Sequence, residues 1–216
     1  MASPPVVSPP SDSTFGLFGY QEHSYGYVRR GTGAPGELSE WEDYLYLLVH
    51  AGVGAGKTAG LWLRALHYMT SWPGSMGLVT VPLRATWWDS TYPALRKMLA
   101  RAELVEGRDW EFNKTEFHFT LALGEGLAEF FVKSTEEPEN IIGVDAAWGA
   151  MDEPGCSPFE AFLNVQKRLR QPGFPHQCWL AGTPVGKWTW LWAMFYPDQA
   201  PPELLEELRI NPAYEG

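Results

Sequence analysis

Tyr44-Leu-Tyr-Leu-Leu-Val-His50 is a short apolar run that stops at a glycine-rich turn, the pattern of a buried strand. Residues 57–71 follow with apolar side chains at helical spacing and predict an amphipathic helix, which Pro73-Gly74 breaks. Gly77 to Val81 predicts a second buried strand. Thr86 to Arg101 predicts a helix with Trp87, Leu95 and Met98 among its apolar positions, kinked or restarted at Pro93. The period then changes: Phe117 to Leu121 alternates, Gly124-Glu-Gly126 turns, and Ala128 to Val132 runs back, which predicts a hairpin. Ala147 to Met151 predicts a buried strand ending at Asp152, Phe159 to Arg170 a helix, and Gln177 to Ala181 a strand ending at Gly182-Thr183-Pro184. Strands alternating with helices predict an α/β fold: a mostly parallel sheet flanked by helices, with an inserted β-hairpin.

The flanks read differently. Residues 1–14 are rich in Pro and Ser and poor in charge, and predict a disordered leader. Residues 15–40 carry Gly and aromatic side chains without a period and predict an edge wrapping. The expected division is therefore 1–40 as leader and edge segment, 41–198 as core, and 199–216 as a C-terminal tail or the start of a lid or linker.

Composition narrows the class. At 216 residues, 45% of them apolar, with 11 Trp, the chain can bury the core of one α/β domain. No run of 18 apolar residues and no signal-peptide pattern occurs, so neither a membrane span nor secretion is expected. Cys156 and Cys178 lack metal-ligand spacing and are expected to be reduced and packed. The formal net charge of −10 argues against a broad nucleic-acid-binding face, though not against a local basic patch.

Three stretches carry candidate chemistry. Ala51, Gly52, Val53, Gly54, Ala55, Gly56, Lys57 and Thr58 spell a phosphate-binding loop of the Walker A type. Its glycines let successive N–H groups curl toward phosphate oxygens, and the helix that it opens favours anions. Lys57 is expected to reach the β- and γ-phosphates of ATP, and Thr58 to place its hydroxyl on Mg2+. Ala147-Trp-Gly-Ala-Met-Asp152-Glu153 is a buried strand that delivers two carboxylates. Asp152 is the expected metal-shell residue, as in Walker B, and Glu153 the base that polarises water. Strand 77–81 and the hairpin intervene between Lys57 and Asp152. An extra strand between the two motif strands, with a Glu beside the Asp, suits ATPases of the additional-strand, catalytic-glutamate type. Leu180-Ala-Gly-Thr183-Pro-Val-Gly-Lys187 follows a strand end, where the Thr183 hydroxyl could sense a γ-phosphate; an ordinary Thr-Pro turn is the alternative.

Taken in order, these stretches resemble the ATPase domain of phage large terminases. The resemblance covers about residues 44–196 and also takes in V-T-V-P-L-R-A-T-W-W-D-S-T-Y-P-A-L, S-T-E-E-P-E-N-I-I-G and Q-K-R-L-R-Q-P-G. It implies a P-loop ATPase core working in the host cytoplasm. It also implies a homo-oligomeric ring on the portal protein, with a small terminase subunit and double-stranded DNA as partners. Lys57 and Thr58 would bind nucleotide and metal, Asp152 metal, Glu153 would be the catalytic carboxylate, and Thr183 part of a coupling motif. Alone, the chain is expected to be a weakly active monomer. The runner-up is another nucleic-acid-stimulated ATPase of helicase or recombinase type.

The chain departs from the family pattern where many members carry arginine: Val53 and Ile142 stand there. Arg84, Arg168 and Arg170 are the remaining arginine-finger candidates in matched segments, followed by Arg29 and Arg30. No cluster of metal-binding acids follows the ATPase core, so nuclease activity is not expected of these residues. For the adenine, Gln21, Trp41 and Tyr44 are candidates, each with an ordinary loop or packing role as the alternative.

Overall fold

The computed structural model describes the backbone of residues 25–29, 44–123 and 126–208, and side chains over 45–122 and 126–208. Gln21, Arg30, Trp41, the leader and the last eight residues lie outside these, as do the side chains of Arg29 and Tyr44.

The strands are β1 (Tyr25–Arg29), β2 (Tyr44–His50), β3 (Met76–Val81), β4 (Trp110–Asn113), β5 (His118–Leu123), β6 (Gly126–Ser134), β7 (Trp148–Asp152) and β8 (Gln177–Gly182). They form one sheet in the order β1-β2-β8-β7-β3-β6-β5-β4. β2, β8, β7, β3 and β6 run parallel, whereas β1 and the β4–β5 pair run antiparallel at the two edges. The helices are α1 (Lys57–Ser71), α2 (Arg84–Thr86), α3 (Tyr92–Arg101), α4 (Phe159–Arg168), α5 (Trp190–Phe195) and α6 (Pro202–Leu208).

Alternation along each parallel strand builds two cores. Leu47, Val49, Val79, Trp148, Ala150 and Trp179 point to one face, where Trp62 and Tyr68 of α1 and Leu95 of α3 cover them. Leu48, Leu78, Met151, Cys178 and Leu180 point to the other, under Phe162 and Val165 of α4 and Leu191 of α5. Period-2 alternation on a strand buried from both sides is what a parallel sheet requires.

Four expectations are corrected. An extra strand does stand between the two motif strands β2 and β7, but it is β8, which follows both in sequence, and not the strand at 77–81, β3, which lies on the far side of β7. The helix expected over 86–101 is not continuous. A π-helical turn, Trp87–Thr91, joins α2 to α3, and Pro93 stands in the first turn of α3. Proline has no N–H to offer the preceding turn, and the wider turn forms directly before it. α4 stops at Arg168, so Arg170 lies outside it. Of the two cysteines, Cys178 is buried and Cys156 is exposed.

Candidate active site

The parallel register brings three strand ends together. His50 of β2 pairs with Gly182 of β8, and Asp152 of β7 pairs with Ala181. The residues that follow these ends, 51–58, 153 and 183, therefore share one edge of the sheet, the place where open α/β sheets hold ligands.

The 51–56 loop is shaped by left-handed backbone at Gly54 (φ 79°) and Gly56 (φ 78°). A side chain is strained at such angles, which accounts for glycine at both positions. Ala55 N–H closes a turn on Gly52 O at 3.3 Å, and Val53 stands almost wholly exposed at the crest. Gly56 leads into α1, whose first residue, Lys57, is buried. Its ammonium folds back across the loop, donating to Gly52 O at 3.1 Å and standing 3.8 Å from Glu153 Oε1.

Asp152 is 2% exposed and carries two hydroxyl donors. Thr58 Oγ1 donates to Oδ1 at 3.3 Å and Thr91 Oγ1 to Oδ2 at 2.6 Å. Burial pushes its carboxyl up from 3.8 to about 6. The Glu153 charge adds to the rise, and the two threonines and Lys57 oppose it. A buried carboxylate that stays expensive to ionise despite two hydrogen bonds is suited to receiving a cation. With the Thr58 hydroxyl at its side, the hard-oxygen donor set fits Mg2+.

Glu153 adopts left-handed backbone (φ 47°, ψ 53°), a rare conformation for a residue with a side chain, as strained sites often show. Its N–H holds Ala181 O at 2.7 Å. Its carboxylate accepts from Thr183 N–H at 2.8 Å and from the Thr183 hydroxyl at 3.1 Å. Gly182 leaves room for Pro154, the residue after Glu153: a Cβ on Gly182 would stand 2.9 Å from Pro154 Cδ, though at an ordinary contact distance of 3.5 Å from Glu153 Oε2. Thr183 thus grips Glu153 with two donors.

The three arginines are not gathered at one place. Arg84 follows the end of β3, on the same edge as Asp152, and its guanidinium lies 5.2 Å over the Phe117 ring. It lines a cavity of about 760 Å3, and Ile142 lines the same cavity. Arg168 and Arg170 flank the opposite edge of the sheet, where the Arg168 carbonyl accepts from Ala146 N–H just before β7. Arg170 Nε donates to the Asp145 carboxylate at 2.7 Å, with both side chains more than half exposed.

Sequence reasoning missed two residues here. Thr91 is fully buried against Asp152, yet nothing in W-W-D-S-T marks it. His50 ends β2; its Nε2 is buried without a hydrogen-bond partner, and burial lowers its basicity.

No protein-family model and no curated protein sequence matches the chain. Solved structures do. The large terminase from a thermophilic bacteriophage superposes with a TM-score of 0.61 at 16% identity, over 74% of this chain and 37% of that one. The same terminase in complex with ADP gives 0.62 at 15%, over 70% and 37%. In complex with ATP-gamma-S it gives 0.57 at 14%, over 70% and 36%. Over the aligned part, this chain shares the fold of that terminase. The aligned part spans little more than a third of those terminases. At such low identity the terminase likeness establishes the P-loop NTPase fold, and the chemistry rests on the residues described above.

Proposed function

We propose that this chain is the ATPase part of a viral DNA-packaging motor, hydrolysing ATP to move double-stranded DNA into a procapsid. The observation that carries the ATPase reading is the convergence of Lys57, Thr58, Asp152, Glu153 and Thr183 from three strand ends. The 51–56 loop receives the phosphates with its backbone N–H groups and with the N-terminus of α1. Lys57 exchanges its Gly52 carbonyl for the β- and γ-phosphates. Thr58 and Asp152 would hold Mg2+, which when bound neutralises phosphate charge. Glu153 takes a proton from the attacking water, and Thr183 fixes the direction in which its carboxylate points. Because Thr183 also opens the loop leading to α5, a change in what Glu153 contacts reaches that loop directly.

The packaging assignment is supported by the fold shared with the thermophilic phage terminase and by the order of motifs over 44–196. Portal protein, a small terminase subunit, DNA and further copies of this chain in a ring are the partners in this reading, in the host cytoplasm. Among the described residues no helix is long and apolar enough to cross a membrane. For the finger on a neighbour's ATP, Arg84 is the favoured candidate, since it shares an edge with Asp152 and a cavity with Ile142. In assembled motors, mixing Arg84→Ala with Glu153→Gln chains should give a turnover pattern that a residue acting in its own subunit cannot give.

The test is steady-state phosphate release from the chain alone, with DNA, and with DNA and portal, using Lys57→Ala as the control without turnover. Stimulation by DNA and portal together is expected. Stimulation by DNA alone, unaffected by portal, would favour a helicase-type ATPase. Wild-type turnover in Lys57→Ala would remove the loop from the account.

A further inference from the structure

The π turn between α2 and α3 sits against the proposed metal carboxylate. Tyr92 N–H donates to Trp87 O, five residues back. In an α-helix, residues five apart point well away from each other, whereas a π turn brings them close to the same side. Here Trp87 and Tyr92 both face the core, with ring centroids 5.4 Å apart. The same turn carries Thr91 inward to full burial, 2.6 Å from Asp152 Oδ2. The other acceptor near its hydroxyl, Thr86 O, is 3.4 Å away. A hydroxyl has one proton to give, and the shorter contact to a carboxylate takes it.

A second bond closes a circuit. The Thr91 carbonyl accepts from the indole N–H of Trp62 at 2.9 Å. Trp62 lies four residues after Thr58 on α1, one helical turn further along the same side. Thr58 holds one oxygen of Asp152, Thr91 holds the other, and Trp62 holds Thr91. One turn of the phosphate-loop helix and one π turn therefore clamp a single carboxylate from both sides.

We infer that Thr91 is a positioning residue for the metal site. It orients the Asp152 carboxylate toward Thr58, it is aimed by the π turn, and that turn is pinned to α1 by Trp62. This rests on the proposed assignment of Thr58 and Asp152 to Mg2+. The consequence is specific to metal: losing the Thr91 hydroxyl should disturb metal-dependent nucleotide binding and leave the phosphate loop itself intact.

The experiment titrates Mg2+ against binding of a fluorescent ATP analogue to the full chain, with a parallel arm in EDTA and a thermal melt of each variant. Thr91→Val keeps the shape and removes the hydroxyl; Thr91→Ser restores the hydroxyl; Trp62→Phe keeps an aromatic ring and removes the N–H. Partners that orient metal-binding carboxylates typically contribute 10–100-fold in metal affinity. Thr91→Val is therefore expected to need roughly tenfold more Mg2+ for half-maximal binding. Its EDTA arm should stay within about twofold of wild type, Thr91→Ser should recover, and Trp62→Phe should shift in the same direction by less. A wild-type Mg2+ dependence in Thr91→Val overturns the inference, as does a Thr91→Ser as impaired as Thr91→Val. If Thr91→Val does not fold, an unchanged Mg2+ dependence in Trp62→Phe overturns it instead. A wild-type chain that binds no nucleotide in either arm overturns the proposed function itself, and is thereby distinguished from a failure of Thr91 alone.

Discussion

Strand β7 has an aspartate near each end, and the two could hardly be treated more differently. Asp145, just before the strand, meets Arg170 at 2.7 Å, with both side chains more than half exposed. Asp152, its last residue, is 2% exposed and has two threonine hydroxyls for partners. The nearest cation, Lys57, is spent on Gly52 O and Glu153. Water and ions screen the first pair, so its contribution is small. The second carboxylate keeps most of its desolvation cost, and its rise to about 6 records this. A complete ion pair on the surface closes an edge of the fold. A buried carboxylate with neutral partners leaves charge to be met by something that binds.

The largest expected effect comes from removing that charge. Asp152 has a folded-state value of about 6 against 3.8 unfolded, so its stabilising contribution is full below pH 3.8 and is lost as pH rises through 6. Above pH 6 the metal-free fold carries a charge cost of up to about 3 kcal/mol. Asp152→Asn in EDTA should therefore melt higher than wild type at pH 8, and the gap should close toward pH 4. The same variant should lose Mg2+-dependent nucleotide binding. Equal melting temperatures across the range, with Mg2+ dependence kept, would mean that the two ends of β7 do not differ as described.

Gly77→Ala is the intermediate case, since it acts on the first residue of β7. Gly77 pairs with Trp148, and a Cβ there would fall 2.2 Å from the indole ring. Trp148 is fully buried, so the ring has little room to move. Overpacking of this kind costs about 1–3 kcal/mol, readable from urea denaturation. Nucleotide binding per folded molecule should be unchanged.

The smallest effect is at the Asp145 end. Asp145→Asn or Arg170→Ala should shift stability by less than about 1 kcal/mol and leave Mg2+ dependence alone. A larger loss in assembled motors than in the isolated chain would show that Arg170 has a second task at a neighbour's surface.

Much of the site was legible because its signals are local. Residues 57–71 formed the expected helix, and β7 and β8 end within a residue of where their apolar runs stop. The glycine-rich loop and the Asp-Glu pair announce themselves by residue type. Neighbour relations were less legible. Chain order does not decide which strand lies between β2 and β7, and β8 takes that place from the far end of the domain. The π turn escaped because one extra residue in a turn shifts the phase without changing composition. Thr91, which that shift turns inward, carries no mark in the sequence that separates it from Thr86 or Ser90. Four-residue β4 is too short to show a period. The apolar pattern of α4 continues into Leu169 and so extends the expected helix to Arg170, whereas the Leu169 backbone pairs with Ala146 instead.

The central claim is that Glu153, gripped by Thr183 beside Lys57, performs the hydrolytic step. Phosphate release by Glu153→Gln at saturating Mg-ATP tests it most directly, with nucleotide binding measured on the same sample. Binding should match wild type, because the amide keeps the size of the side chain and an acceptor for Thr183. Turnover should fall by roughly 10²–10⁴-fold, the usual contribution of a positioned general base. Wild-type turnover in Glu153→Gln would contradict the account.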